Sequence, residues 1–178
     1  LNDLELKGQL NIKAFTDGRF DGVKKMFPPT SASIQLKDGT IQTPYYPKPI
    51  ENMQVNASVN GKSGNYSDLS IVLEPVSFLF EQQPFSVTAN LQNLDNVKYD
   101  ITAKGILDLG KIYQVFAIDG YKVTGLLKAD LDLHGTQADA VAGRFQQLKN
   151  NGTLDVTDLI LYSSDYPYPF EIPHGSLK

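Results

Sequence analysis

Residues 84–107 alternate apolar and polar side chains with a period of two, twice in succession, and no other stretch constrains the fold as tightly. Phe85, Val87, Ala89 and Leu91 fall on one side and Ser86, Thr88, Asn90 and Gln92 on the other, as a strand with one buried face requires. After a turn over 93–96, Val97, Tyr99, Ile101, Ala103, Gly105 and Leu107 oppose Lys98, Asp100, Thr102 and Lys104. A helix would scatter either set around its circumference, so the stretch predicts a hairpin of long strands. The strand over 97–107 would run about 35 Å, against about 17 to 20 Å for an ordinary one.

The same period recurs along most of the chain. Leu4, Leu6, Gly8, Leu10 and Ile12 alternate with Glu5, Lys7, Gln9, Asn11 and Lys13. Met53, Val55, Ala57 and Val59 form another set, and Leu69, Ile71 and Leu73 are separated by Pro75 from Val76, Phe78 and Phe80, which predicts a bulge or break at Pro75. Leu127, Ala129, Leu131 and Leu133 oppose Lys128, Asp130 and Asp132, and the last strands are expected over 153–162. Helical spacing is confined to three places: Phe20, Val23 and Phe27 before Pro28-Pro29; Leu109, Ile112, Tyr113 and Phe116 behind an Asp108 cap; and Val141, Phe145 and Leu148 behind a Thr136 cap, ending at Asn151-Gly152. Asp38-Gly39 predicts a tight hairpin turn, and the prolines at 44, 47 and 49 predict an irregular or edge segment. The expected fold is mainly β: a long, twisted, largely antiparallel sheet of amphipathic strands with two or three short helices, shaped as an open groove or half-pipe.

Composition narrows the function. With 41% hydrophobic and 20% charged residues in 178, the chain has the makings of a folded domain. A net charge of -4, with Lys24-Lys25 the longest basic run, excludes a surface that tracks phosphates, so no nucleic-acid partner is expected. Cysteine is absent, which removes disulfides and thiolate metal sites. No apolar run approaches the roughly 20 residues of a membrane span, and the amino terminus has no signal-peptide pattern. An opening on Leu1 and a stop at Lys178 just after a turn read as a piece of a longer protein, with any anchor outside it.

No residue set announces a chemistry. His134 and His174 stand at no metal-ligand spacing, and the first falls on the polar side of its strand. Asp130 and Asp132 share that side and would suit the carboxylate pair of a glycosidase or a metal site, although a solvated strand face accounts for them. The glycines at 61 and 64 lack the pattern of a phosphate loop, the Asn56, Asn65 and Asn151 triplets matter only in a eukaryotic secretory host, and neither GxSxG nor HExxH occurs. No catalytic residue, metal or cofactor is therefore expected. The apolar strand faces remain, with Ile71, Leu73, Phe85, Val87, Ala89, Leu91, Tyr99, Ile101, Ala103, Leu127, Ala129, Leu131 and Leu133 as candidate lipid-groove residues. An acyl chain laid on such a face gains about 0.8 kcal/mol per methylene, or roughly 12 kcal/mol for about fifteen before ordering costs. Packing of helices on the sheet is the alternative account of the same faces.

The end of the chain repeats its beginning. The segment YPKPIE from Tyr46 returns as YPYPFE from Tyr166, a step of 120, and Leu6-Lys7, Leu10, Ile12 and Lys13 return as Leu127-Lys128, Leu131, Leu133 and His134, a step of 121. Residues 1–120 then form one unit and 121–178 the first half of a second within one continuous sheet, with chance similarity of short strand sequences as the competing account.

The run PFSVTANLQNLDNVKYDITAKGILDLGKI, then LLKADLDLHG and GTLDVTDLIL, resembles the AsmA-like family of Gram-negative envelope proteins, particularly the bacteroidal type. The resemblance covers the last 110 residues or so, and the first 60 through the repeat. It implies a periplasmic protein anchored in the inner membrane by a helix outside this stretch and serving outer-membrane assembly. Related proteins form repeating β-grooves thought to conduct phospholipid, and the family supplies no catalytic residues. The resemblance thus implies a non-enzymatic groove segment that binds lipid acyl chains. A structural scaffold with a closed core, binding envelope protein partners through its polar loops, is the alternative.

Overall fold

The computed structural model describes residues 4–23, 26, 28–116, 120–164 and 167–177. Nine strands follow in chain order: β1 (Glu5–Thr16), β2 (Thr30–Thr43), β3 (Tyr46–Gly61), β4 (Ser70–Phe80), β5 (Gln83–Gln92), β6 (Lys98–Asp108), β7 (Tyr121–Thr136), β8 (Asn151–Ser163) and β9 (Phe170–Leu177). Each pairs antiparallel with the next, so the order in the single sheet is the order in the sequence, and β1 and β9 remain as edges. The protein is mainly β and its sheet does not close. Helix α1 (Leu109–Phe116) joins β6 to β7, and α2 (Gln137–Val141) lies between β7 and β8. Among the described residues no helix is long and apolar enough to cross a membrane.

One apolar face survives across all nine strands because bulges correct the phase wherever the spacing is odd. Leu36 and Ile41, five residues apart, would point to opposite sides of a regular strand. The pairing advances two residues on β1, from Lys7 to Gln9, while β2 advances three, from Thr40 to Lys37, and the extra residue resets the phase. Asp38 supplies the bulge with φ 51°, opposite Gly8 at φ 129°. Leu73 and Val76 are likewise kept on one face by a shift in the β4–β5 ladder around Pro75, as the proline predicts.

The same device returns at the far end. Thr124 pairs with Ile160 and Leu126 with Thr157, and the extra residue is Asp158 at φ 50°, facing Gly125 at φ 126°. From Asp38 to Asp158 the step is 120 (158 less 38), and from Gly8 to Gly125 it is 117 (125 less 8). The pair Leu10 with Leu36 becomes Leu127 with Val156, and Ile41 with Ile50 becomes Leu161 with Phe170. The register therefore aligns β1 with β7 at 117 and not at the 121 read from the residues. The two offsets differ by four residues, two side-chain periods, so both leave the same face apolar and alternation alone cannot tell them apart.

Several local expectations are corrected. Asp38-Gly39 is this bulge inside β2, and the hairpin turn lies instead at Pro44-Tyr45. The prolines at 47 and 49 sit within β3, a central strand, but beyond the point where β4 begins to pair, at Ile50 with Phe80, so no ladder bond on that side is lost. No helix forms over the described part of 17–29; Asp21 and Met26 make an isolated antiparallel bridge, Val23 is 96% exposed, and Phe27 lies outside the described residues. Gly18 and Gly22 remove too much helix propensity for a segment this short. The helix behind Thr136 is capped as expected, with Thr136 Oγ1 accepting from the Asp139 amide at 3.1 Å, but it stops at Val141 and Gly143 turns left-handed, leaving Phe145 on a separate 3-10 turn. Strand β9 was not legible from alternation: Pro173, His174 and Gly175 interrupt it. The central hairpin and α1 form where expected, with Asp108 Oδ1 accepting from the Lys111 amide at 3.1 Å.

Full burial is concentrated at one end of the apolar face. Ile41, Ile50 and Phe80 project from β2, β3 and β4 beneath Val115 of α1, and Tyr46 closes the cluster with its ring 5.4 Å from that of Phe80. Elsewhere on the face, among the described residues, the buried hydrophobic side chains are those of Leu36, Ala89 and Ala129.

Candidate functional site

The structure sets every candidate groove residue on one face. Cross-strand pairs run Ile71 with Leu91, Leu73 with Ala89, Val87 with Ala103, Ala89 with Ile101, Leu91 with Tyr99, Ile101 with Leu133 and Ala103 with Leu131. Phe85 faces Gly105, which in turn pairs with Ala129, and Leu127 pairs with Leu107. Large and small residues alternate from β3 to β6 in the row Ala57, Leu73, Ala89, Ile101. The alanines lie sheltered between taller neighbours while the large side chains stay half-buried. Phe78 and Phe85 stack at 5.6 Å across β4 and β5.

The face extends further than the candidate residues. Ile12, Ile34 and Ala57 continue the row of Leu73, and Ala14, Ala32 and Val59 continue that of Ile71. A shallow apolar depression of about 200 Å³ lies over β1 to β4 among these side chains. The alternation in β1 and β3 carried the signal; what it could not give was adjacency, which comes only with the strand order.

The two ends of the face are covered differently. Over β3, β6 and β7, α1 presses Val115 into the buried cluster. Its anchor is Glu81, in the two-residue turn between β4 and β5, whose carboxylate accepts from Tyr46 Oη at 2.7 Å and pairs with Lys48 at 3.0 Å and Lys111 of α1 at 2.5 Å. The hydrogen bonds from Lys111, Tyr46 and Lys48 hold the Glu81 carboxyl at about 2, below its ordinary 4.5. Burial, then the hydrogen bond to Glu81, raises the Tyr46 phenol. Glu81 and Gln82 take φ 50° and 65°, both left-handed, as a primed hairpin turn demands, without the usual Asn or Gly. The ion pairs hold a turn that its own residues disfavour.

At the other end residues 137–150 cross β7 as a strap. The Gln137 amide donates to Val97 O at 2.8 Å and the Lys149 amide to His134 O at 2.9 Å, tying both ends of the strap to the sheet. Leu148 sits over Gly135 and Tyr99, where a Cβ on Gly135 would stand 2.6 Å from its Cδ2. Beneath the strap, Phe145, Leu148, Leu131, Leu133, Leu154 and Leu177 line a cleft of about 530 Å³, a volume typical of small-molecule sites, with Asn150 and Asn151 as polar neighbours.

The opposite face carries the charges. Lys104 faces Asp130 at 3.9 Å, and His134 lies 3.2 Å from Asp100 and 2.9 Å from Asp132, all exposed cross-strand or same-strand neighbours. Asp130 and Asp132 are thus engaged in a solvated charge ladder on the side away from the cleft lining, and His174 pairs across to Thr157. No group of described residues is arranged to hold a metal ion. No protein-family model, no curated protein and no solved structure matches the chain.

Proposed function

We propose that the chain is a non-catalytic groove segment that holds lipid acyl chains on its apolar face. The observation that carries the reading is the contrast along that face: the candidate residues lie side by side across four central strands and, apart from the buried Ala89 and Ala129, remain half-buried, while α1 and the strap rest on its two ends. Partly exposed apolar strand surface of this extent is what an acyl chain can cover without any polar group at the site. The AsmA-like resemblance supplies the setting: the periplasm, attachment to the inner membrane, phospholipid as cargo, and service to outer-membrane biogenesis beside other envelope proteins. The resemblance rests on the run PFSVTANLQNLDNVKYDITAKGILDLGKI with LLKADLDLHG and GTLDVTDLIL, and an open sheet is of the kind it implies. Residues 1–120 and 121–178 are proposed as one unit and the start of the next.

The test is extraction and mass spectrometry of lipid from the protein purified from a Gram-negative host, followed by transfer of labelled phospholipid from vesicles. Co-purifying phospholipid, displaced by the labelled one, is expected. A preparation that is free of lipid and takes none up would end the proposal and favour a scaffold that binds envelope proteins.

A further inference from the structure

The connection from β1 to β2 carries apolar side chains that the oily face does not use, on a hairpin whose two flanking strands are both present. The Asp17 amide donates to Pro29 O at 3.3 Å and Thr30 Oγ1 to Pro28 O at 2.8 Å. Farther out, Asp21 and Met26 exchange two backbone hydrogen bonds of 2.9 and 3.0 Å. Gly18, at φ 130°, lets the chain pass Pro28, whose Cβ would stand 3.2 Å from a Cβ added there. The segment is therefore held in shape, yet its apolar residues face water: Phe20 is 72% exposed, Val23 96% and Met26 37%. At its root Phe15, which pairs with Ser31 on the polar side of β1, is 64% exposed. None of the four is a groove candidate.

Charge indicates what covers them. Outward of the Asp21–Met26 bridge the chain reads Gly22-Val23-Lys24-Lys25, two lysines and no carboxylate, with Arg19 exposed just inside it. The nearest acid is Asp21, whose Oδ1 accepts from the Val23 amide at 3.0 Å and so is engaged in the turn. Residues 17–29 hold three basic and two acidic side chains, a net +1 in a chain of -4, which leaves -5 on the remainder. We propose that this hairpin tip is a peripheral contact with an anionic lipid surface, in which Phe20, Val23 and Met26 enter the interface and Arg19, Lys24 and Lys25 meet the headgroups. A soluble acidic protein would suit the lysines, but a stable protein interface buries about 1,200 to 2,000 Å², far more than a four-residue tip offers. Insertion into lipid needs only a few apolar side chains flanked by cations. The ladders place Thr136, where the strap begins, at the same end of the sheet as Thr16 and Thr30, so a protein docked by this tip turns its strap end toward the lipid. The inference does not rest on acyl-chain binding along the apolar face.

The chain has no tryptophan, so Phe20→Trp supplies a single reporter at an exposed position. With vesicles of phosphatidylcholine and phosphatidylglycerol, its emission should move to shorter wavelength and be quenched by brominated acyl chains. In flotation with the same vesicles at low salt, Val23→Asp should lower the bound fraction about tenfold with an unchanged circular dichroism spectrum. Lipid that co-purifies with the protein should be the same in Val23→Asp and the parent, which keeps this result separate from that of the groove. Equal flotation with phosphatidylcholine alone overturns the proposal, as does equal flotation of Val23→Asp and the parent. A tryptophan that stays in water while the protein floats overturns it too. Dimers in sedimentation that Val23→Asp dissolves assign the tip to a second copy and overturn it as well.

Discussion

The two ends of the apolar face are covered by segments of similar length with opposite outcomes. Under α1, Val115 and Ile50 are each 2% exposed; at the strap, Phe145 is 70% exposed and Val141 81%. Amphipathic spacing is present in both segments, so spacing does not decide which becomes core. The difference is anchorage. Helix α1 has Lys111 fixed to Glu81 of the sheet, whereas Arg144 of the strap turns back to Asp139 of its own segment at 2.7 Å. A covering element with a charged side chain tied across to the sheet closes the core, and one held to the sheet at its two ends, with its own ion pair turned inward, leaves a cleft.

The sharpest way to break this contrast is to hollow out the closed end. Phe80→Ala should lower the free energy of unfolding by about 3 to 5 kcal/mol, read by urea denaturation, because its ring is fully enclosed between Tyr46 and the α1 cluster. A loss below about 1 kcal/mol would place the α1 end among surface sites, where substitutions cost little, and would erase the distinction between the two ends.

The anchor itself is tested by acid. Since the folded state holds Glu81 at about 2 against an ordinary 4.5, its contribution is complete above 4.5 and is lost as the pH falls toward 2. Stability of the parent protein should fall through that window, and Glu81→Gln should remove the Glu81 part of the slope while making the protein less stable at neutral pH. Lys111 is raised by its hydrogen bond to Glu81, so its share is present below 10.5 and lost as the pH rises through its raised value. An unchanged acid limb in Glu81→Gln would show that α1 is held by apolar contact alone.

How much of this was legible in the residues depends on what alternation can encode. Period two in 84–107 places Phe85, Ala89, Ile101 and Ala103 on a common face without any tertiary information, and Asp108 marks the start of α1 by its capping geometry. Register is different. Leu6 and Leu10 are equally good partners for Leu127 by pattern, and only the bulge at Gly125, facing Asp158, selects the second. The Asp38-Gly39 dipeptide favours left-handed backbone, which a turn and a bulge both use, so its chemistry was read correctly and its role was not. The Glu81 anchor gave no signal at all: its partners lie 35 residues before it and 30 after it, and nothing local links them.

A smaller effect is expected inside the closed end. Thr43 is 5% exposed and its hydroxyl has no hydrogen-bond partner among the described residues. Leaving such a group unsatisfied costs about 1 to 3 kcal/mol, and Thr43→Val keeps the shape while removing the polar atom. Thermal unfolding should therefore show a gain of about 1 kcal/mol. A loss would mean that the Thr43 hydroxyl is satisfied in solution, and the end next to Tyr46 would then be less dry than its burial indicates.

The smallest effect on stability belongs to the strap, and there the contrast between the ends becomes a functional one. Phe145 covers the cleft from the outside and is mostly in water, so Phe145→Ser should change the free energy of unfolding by no more than about 0.5 kcal/mol. If the cleft receives an acyl chain, the same substitution removes apolar contact that forms only when the chain is bound, and retention of labelled phospholipid should drop several-fold in a vesicle-transfer assay. The two readouts separate the possible roles of the strap. A large loss of stability would make Phe145 a core residue and the two ends alike. Unchanged stability with unchanged retention would leave the strap as a plain connection between β7 and β8, and an acyl chain would then have to lie farther along the face, over Leu73, Ala89 and Ile101.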